Sequence, residues 1–483
     1  MTIKIDDLTY KFYLGGQWIV SKSGKTIDIV SPYLHETVGR VQAVTQDEVD
    51  EAIESARKVQ KDWEKTSLQI RAQYLYKWAD ELISMQDEIA EVIMKEVGKN
   101  FQDAKKEVIR TADFIRYTVG EALHMHGESL VGDSFPGGSK SKLAIVSRVP
   151  LGVVLAISPF NYPVNLAAAK VAPALMAGNT VIFKPATQGA ISGSKMIEAL
   201  DKSGMPKGIL SLITGRGSEI GDYLVEHKGI NMISYTGGTD TGALLAKKAT
   251  QVPLVLELGG KDPGIVREDA NLKEAVKHIV GGAFSYSGQR CTAIKRVLVN
   301  ENVADELVAL LKEEIEKLSI GSPEDGSVIV PLIDDQAADY VQGLVDDAVE
   351  KGATVVLGNK RERNLIYPTL LDHVTVEMQV AWEEPFGPIL PVVRVTSDEE
   401  AIRIANESEF GLQASVFTSN INKAFSIANQ LDAGSVQING RTERGPDHFP
   451  FIGIKGSGMG TQGVRKSLES MTREKVTVLN IEE

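Results

Sequence analysis

The sequence predicts an α/β protein built around a parallel sheet with helices on both faces. Three observations predict it. From residue 150 to 258, short apolar runs alternate with helical patterns, the signature of parallel strands joined by helical crossovers. The runs, among them Leu151–Ile157 and Thr180–Lys184, are largely apolar rather than alternating, as strands covered on both faces are. A second α/β series runs from about Gly260 to about Gly460.

The elements follow in order. The N-terminal third reads as mostly helical. Thr45-Gln46-Asp47-Glu48 has the form of a capping box. Behind it, Val49, Ala52, Ile53, Ala56, Val59 and Trp63 form one apolar stripe at helical spacing. A long helical pattern with Leu75, Trp78, Leu82, Ile89, Val92 and Ile93 runs to a stop near Gly98. The next helix covers roughly Phe101 to Leu123. Val149 to Ala169 carries no charge and is long enough to span a bilayer, but its breakers Pro150, Gly152, Pro159, Asn161 and Pro163 make it a strand, a turn and a helix start. A helix over Asn165–Met176 stopped by Gly178 is expected next, then the strand Thr180–Lys184 and a helix to Gly204. The strand Ile209–Thr214, helix Ser218–Glu226, strand Asn231–Tyr235, helix Thr239–Thr250 and strand Pro253–Leu258 close the first series. The second contains the helices Leu272–Phe284, Val303–Leu318 and Asp335–Lys351 and the strands Arg296–Asn300 and Thr354–Leu357. Two distant segments, Lys142–Arg148 and Lys475–Ile481, alternate apolar and polar residues and could pair in a small arm.

Composition bounds the function. The 483 residues include 52 basic and 65 acidic ones, a net charge of −13, which disfavours non-specific nucleic-acid binding. An anionic ligand would need a local basic pocket. One cysteine excludes an intrachain disulfide framework and Cys-rich metal sites. The seven histidines show no ligand-like pairing, so no metal is expected. The start shows no signal-peptide core, and the chain reads as reduced and cytoplasmic.

Three residues stand out chemically. Cys291 sits beside Arg290 in Gly288-Gln-Arg-Cys-Thr, a polar setting in which an adjacent cation favours the reactive thiolate. The competing reading is a bland buried thiol. Glu257 ends an apolar strand, where burial would raise its pKa, or it could be a salt-bridging glutamate. Asn161 lies at a Pro-flanked turn and could donate to an oxyanion, or serve turn geometry alone. Gly215-Arg-Gly217-Ser-Glu-Ile-Gly221 and Gly237-Gly238-Thr239-Asp-Thr-Gly242 each join a strand to a helix, where backbone N–H groups can meet phosphate. Neither matches G-x-G-x-x-G.

Seven motifs in order resemble the aldehyde dehydrogenase superfamily: Ser158-Pro-Phe-Asn161-Tyr-Pro, Phe183-Lys184-Pro-Ala, Tyr235-Thr-Gly-Gly-Thr, Leu256-Glu257-Leu-Gly-Gly-Lys261, Gly288-Gln-Arg-Cys291, Glu383-Glu384-Pro-Phe386-Gly-Pro388 and Gly453-Ile-Lys-Gly-Ser-Gly458. The resemblance implies a Rossmann-type parallel-sheet cofactor domain (1–129 and 150–258), an α/β catalytic domain (259–463) and a β oligomerisation arm (130–149 and 464–483). It implies a homotetramer, a dimer of dimers. It makes Cys291 the nucleophile, Asn161 the oxyanion donor and Glu257 the base that activates hydrolytic water. Ser158, Lys184, Thr187, Gly217, Gly237, Gly238, Thr239, Glu384 and Phe386 are the implied cofactor residues.

Lys184-Pro-Ala-Thr187 departs from the Lys-Pro-Ala-Glu of NAD-preferring relatives. A neutral Thr187 does not repel a 2′-phosphate, so NADP is favoured, with NAD the weaker alternative. Arg444-Gly-Pro-Asp-His-Phe-Pro-Phe and Ser457-Gly-Met-Gly-Thr-Gln-Gly-Val resemble the branch that oxidises glyceraldehyde 3-phosphate without inorganic phosphate. There Arg110, Asn161, Tyr162, Arg290, Thr292 and Arg444 would receive the phosphorylated aldehyde, since guanidinium forks suit phosphate oxygens. Arg110 could equally lie on a solvated helix face. A carboxylated aldehyde such as succinate semialdehyde is the alternative substrate. A silent homologue and an acylating dehydrogenase are disfavoured by the presence of Cys291, Asn161 and Glu257 together.

Overall fold

The computed structural model describes residues 2–249 and 251–481. An eight-stranded sheet runs in the order Gln17–Ile19, Phe12–Leu14, Leu210–Leu212, Thr180–Lys184, Val153–Ile157, Met232–Thr236, Leu254–Glu257 and Gly458–Met459. Its five central strands are parallel. Strand order reverses between Val153–Ile157 and Met232–Thr236, so the crevice beyond their carboxyl ends is where such a sheet receives a ligand. A second sheet has seven strands in the order Thr354–Leu357, Thr369–Asp372, Ile389–Val395, Arg296–Asn300, Pro263–Val266, Gln413–Phe417 and Ser435–Ile438. All its neighbours are parallel except the first pair.

The two alternating segments pair as expected. Thr472–Asn480 runs antiparallel to Lys142–Pro150, with Val476 opposite Val146, and Glu128–Val131 flanks the other side. The capping box forms, with Thr45 and Glu48 bonding each other's backbone ahead of the helix Gln46–Lys65. The helix Asn165–Ala177 has twelve of thirteen residues buried and ends at the left-handed Gly178. No helix among the described residues is long and apolar enough to cross a membrane.

Three expectations need correction. The long helical pattern is two helices, Leu68–Ser84 and Gln86–Val97, broken at Met85. Leu75, Trp78, Leu82, Ile89 and Ile93 still share one core, so their periodicity runs through the break. The N-terminal third also contains strands: the hairpin Phe12–Leu14 and Gln17–Ile19 extends the eight-stranded sheet. These strands are three residues long, too short for alternation to be legible. The helix expected to reach Thr250 spans Thr239–Lys248. Met1, Thr250, Glu482 and Glu483 lie outside the described residues.

Candidate active site

Cys291 follows a strained segment. Tyr286 and Ser287 have φ of 52° and 54°, a left-handed backbone costly for residues with a Cβ. Side-chain bonds hold it: Tyr286 Oη donates to the Val97 carbonyl at 2.6 Å and Ser287 Oγ to the Val330 carbonyl at 2.7 Å. Gly288 is required next, because a Cβ there would sit 2.5 Å from the Gly387 carbonyl oxygen. The turn delivers Cys291, half-buried, to the meeting point of two clefts.

The cleft of about 660 Å³ lies beyond the carboxyl ends of Val153–Ile157 and Met232–Thr236. Ser158, Asn161, Lys184, Thr187, Gly217, Gly237, Gly238, Glu384 and Phe386 all line it. Its features fit a dinucleotide. Ser158 Oγ is buried without a hydrogen-bond partner. Gly217, Gly221 and Gly238 have nothing within 4 Å of a Cβ position, leaving open backbone at two helix starts. Lys184 is buried, and desolvation pulls its pKa down to about 8; a phosphate beside it would push it back up. Glu384 accepts from the Gly260 N–H at 3.1 Å and from Lys295 Nζ at 2.6 Å. Phe386 meets Phe160 edge-on, ring centroids 5.9 Å apart. Thr239 departs from the expected set: it does not line the cleft, and its hydroxyl accepts from the Gly259 N–H at 3.2 Å.

The second cleft, about 460 Å³, is lined by Arg110, Tyr162, Glu257, Arg290, Cys291, Thr292 and Arg444, with Lys106 and Arg441 also reaching it. Asn161 lines only the first cleft; its Nδ2 donates to the Gln289 carbonyl at 2.9 Å. The basic pocket required by an acidic protein is therefore present, but its arginines are not free forks. Arg110 donates to both Asp447 oxygens, at 2.6 and 2.8 Å. Arg290 donates to Ser285 Oγ and to the carbonyls of Gly282, Thr292 and Thr442. Arg444 Nη1 donates to both Glu257 oxygens at 2.9 Å, and Nη2 to Gln462 Oε1 at 2.8 Å.

The structure bears on two electrostatic expectations, and for Glu257 it selects the salt-bridging alternative. None of the hydrogen bonds of Arg290 reaches Cys291; its guanidinium donates to Ser285 Oγ and to three backbone carbonyls. Burial pushes the thiol up to about 12, and Glu257 and Glu384 push the same way against Lys295 and Arg444. Burial likewise acts to raise Glu257, but Arg444, Lys170 and the hydrogen bonds outweigh it, and the carboxyl falls below its ordinary value. Lys170 Nζ donates to Thr236 Oγ1 at 2.6 Å, which donates to Glu257 Oε2 at 2.9 Å. Burial brings Lys170 down to about 7.

The aldehyde dehydrogenase family model matches residues 18–477. The chain belongs to that family. The NADP-dependent glyceraldehyde-3-phosphate dehydrogenase of Streptococcus equinus is 53% identical over 98% of this chain and 99% of its own. The enzyme of the same name from Pisum sativum is 51% identical over 99% of this chain and 96% of its own. The crystal structure of the Bacillus halodurans C-125 enzyme of that name, complexed with NADP, has a TM-score of 0.97 and 57% identity, covering 98% of this chain and 99% of that one.

Sequence reasoning missed several residues of this aldehyde dehydrogenase site. Lys170 could have been suspected as the one charge in Asn165–Ala177, an otherwise apolar buried helix. Lys295, Gln462 and Asp447 carry no such signal, because the contacts that bring them to Glu384, Arg444 and Arg110 span 89, 18 and 337 positions. Among the described residues no group of three His, Cys, Asp or Glu could hold a metal ion.

Proposed function

We propose that this aldehyde dehydrogenase oxidises D-glyceraldehyde 3-phosphate to 3-phosphoglycerate with NADP and water, through a thioester on Cys291 and without inorganic phosphate. The observation that carries the reading is the meeting of two unlike clefts at Cys291, one built for a dinucleotide and one rich in arginine. Full-length identities above 50% to enzymes named for NADP and this aldehyde support it.

NADP would be held by Ser158, Lys184, Thr187, Gly217, Gly237 and Gly238, with Glu384 and Phe386 towards the nicotinamide. When bound, it supplies the hydride acceptor. Cys291 Sγ loses its proton to solvent and, as the thiolate, attacks the aldehyde carbon. Asn161 Nδ2 has two hydrogens and spends one on Gln289, so the second is left for the oxyanion. Loss of hydride from that carbon leaves a thioester on Cys291. Glu257 then takes a proton from water, which attacks the thioester and frees the thiol. Arg110, Tyr162, Arg290, Thr292 and Arg444 receive the substrate, its phosphate competing with Asp447 and Glu257 for the guanidinium groups.

The test is NADPH formation from glyceraldehyde 3-phosphate with no phosphate added, beside succinate semialdehyde. A higher kcat/KM on the carboxylated aldehyde would overturn the phosphate assignment. The three-part division given above remains our proposal, supported by the separate sheets. So does a homotetramer, supported by exposed apolar residues of the arm, Leu130, Val131, Phe135, Val476 and Val478. Light scattering that gave a monomer mass would refute it. The single cysteine supports a cytoplasmic location.

A further inference from the structure

We infer that Lys99 and Glu107, a buried ion pair lining the substrate cleft, are positioning residues that set preference for the phosphorylated aldehyde by holding Tyr162. The inference rests on the proposed contact between Tyr162 and the substrate phosphate.

The pair joins three segments. Lys99 follows the left-handed Gly98, and Glu107 lies in the helix Phe101–Leu123. Lys99 Nζ donates to Glu107 Oε2 at 2.5 Å, and the two side chains are 2% and 1% exposed. The other carboxylate oxygen accepts from the N–H groups of Val164 and Asn165 at 3.0 and 3.1 Å. These open the helix Asn165–Ala177, which has no side-chain cap of its own. Glu107 thus supplies from another helix the cap that fixes the chain just after Asn161 and Tyr162, where a negative charge also suits the helix dipole. The same ammonium lies 3.6 Å from the centroid of the Tyr162 ring and 5.0 Å from that of Tyr286. Tyr286 belongs to the strained segment that presents Cys291.

A buried ion pair is a poor source of stability, because desolvating two charges offsets most of their attraction. A buried ammonium facing two rings is, however, an effective orienting device, since cation–π attraction strengthens when water is excluded. Tyr162 lines the cleft beside Arg110. Its ring therefore has a fixed electrostatic partner beneath the place where the phosphate would sit.

The test measures kcat/KM on glyceraldehyde 3-phosphate and on unphosphorylated glyceraldehyde. Lys99→Met should lower the ratio of the two about tenfold, mainly through KM for the phosphorylated aldehyde. That variant leaves Glu107 unpaired and could fold poorly. Lys99→Met/Glu107→Gln removes the stranded charge while keeping an oxygen for Val164 and Asn165, so it should recover Tm but not the ratio. In a Tyr162→Leu background, Lys99→Met should leave the ratio unchanged, because its effect runs through that ring. An unchanged ratio in the double variant, or an undiminished effect in the Tyr162→Leu background, would overturn the inference. If wild type itself shows no preference for the phosphorylated aldehyde, the proposed substrate fails instead.

Discussion

Replacing Arg444 by alanine separates two roles that the structure gives one side chain. Its Nη1 bridges both oxygens of Glu257 at 2.9 Å, with side-chain exposures of 11% and 2%. It also lines the cleft proposed for the phosphorylated aldehyde. A charge-assisted contact contributes about 1.5–3 kcal/mol, so losing the phosphate contact should cost roughly 10- to 100-fold in kcat/KM on glyceraldehyde 3-phosphate. Unphosphorylated glyceraldehyde cannot use that contact and should be spared this loss. The second effect is common to both substrates. Arg444 favours the charged form of Glu257, so its removal raises that pKa. The base must be ionised, and a raised pKa moves the acid limb of the kcat profile to higher pH. The same shift weakens folding. A carboxyl held below its unfolded pKa contributes stability above that value and loses it as pH falls. Without Arg444 the contribution shrinks, and the variant should melt lower near neutral pH. The assay is kcat and kcat/KM against pH on both aldehydes at one ionic strength, with Tm alongside. Equal losses of kcat/KM on both aldehydes would refute the phosphate role. An acid limb that stays in place would refute Glu257 as the titrating base.

Three further outcomes are expected. Cys291→Ser should abolish turnover while a cofactor titration gives an unchanged Kd for NADP, because a hydroxyl is a far weaker nucleophile; near-normal turnover would remove Cys291 from the chemistry. Glu257→Ala should give a burst of NADPH about equal to the enzyme sites and then stall, since acylation precedes the hydrolytic step. Absence of the burst under single-turnover conditions would place Glu257 before hydride loss. Thr187→Glu should move preference from NADP towards NAD by repelling the 2′-phosphate, read as the ratio of kcat/KM for the two cofactors; an unchanged ratio would put selectivity elsewhere in the cleft.

Local signals determined much of this protein from sequence alone. Strand–helix alternation over 150–258 foretold the parallel sheet, and alternation in Lys142–Arg148 and Lys475–Ile481 foretold their pairing. The resemblance carried by the ordered motifs marked Cys291, Glu257 and Asn161, whose local patterns alone left a bland alternative open for each. What tertiary structure decided was the partner of each charge. Arg290 is adjacent to Cys291 in sequence yet turns to three backbone carbonyls, while Arg444 reaches Glu257 across 187 positions. Adjacency therefore pointed to Arg290 where Lys295 and Arg444 act on the thiol, and it left the cation that pairs with Glu257 unnamed. Lys99 and Glu107 are ordinary charges on paper and become a buried pair only when three segments close over them. The physical reason is that charge interactions depend on distance and on excluded water, and folding sets both.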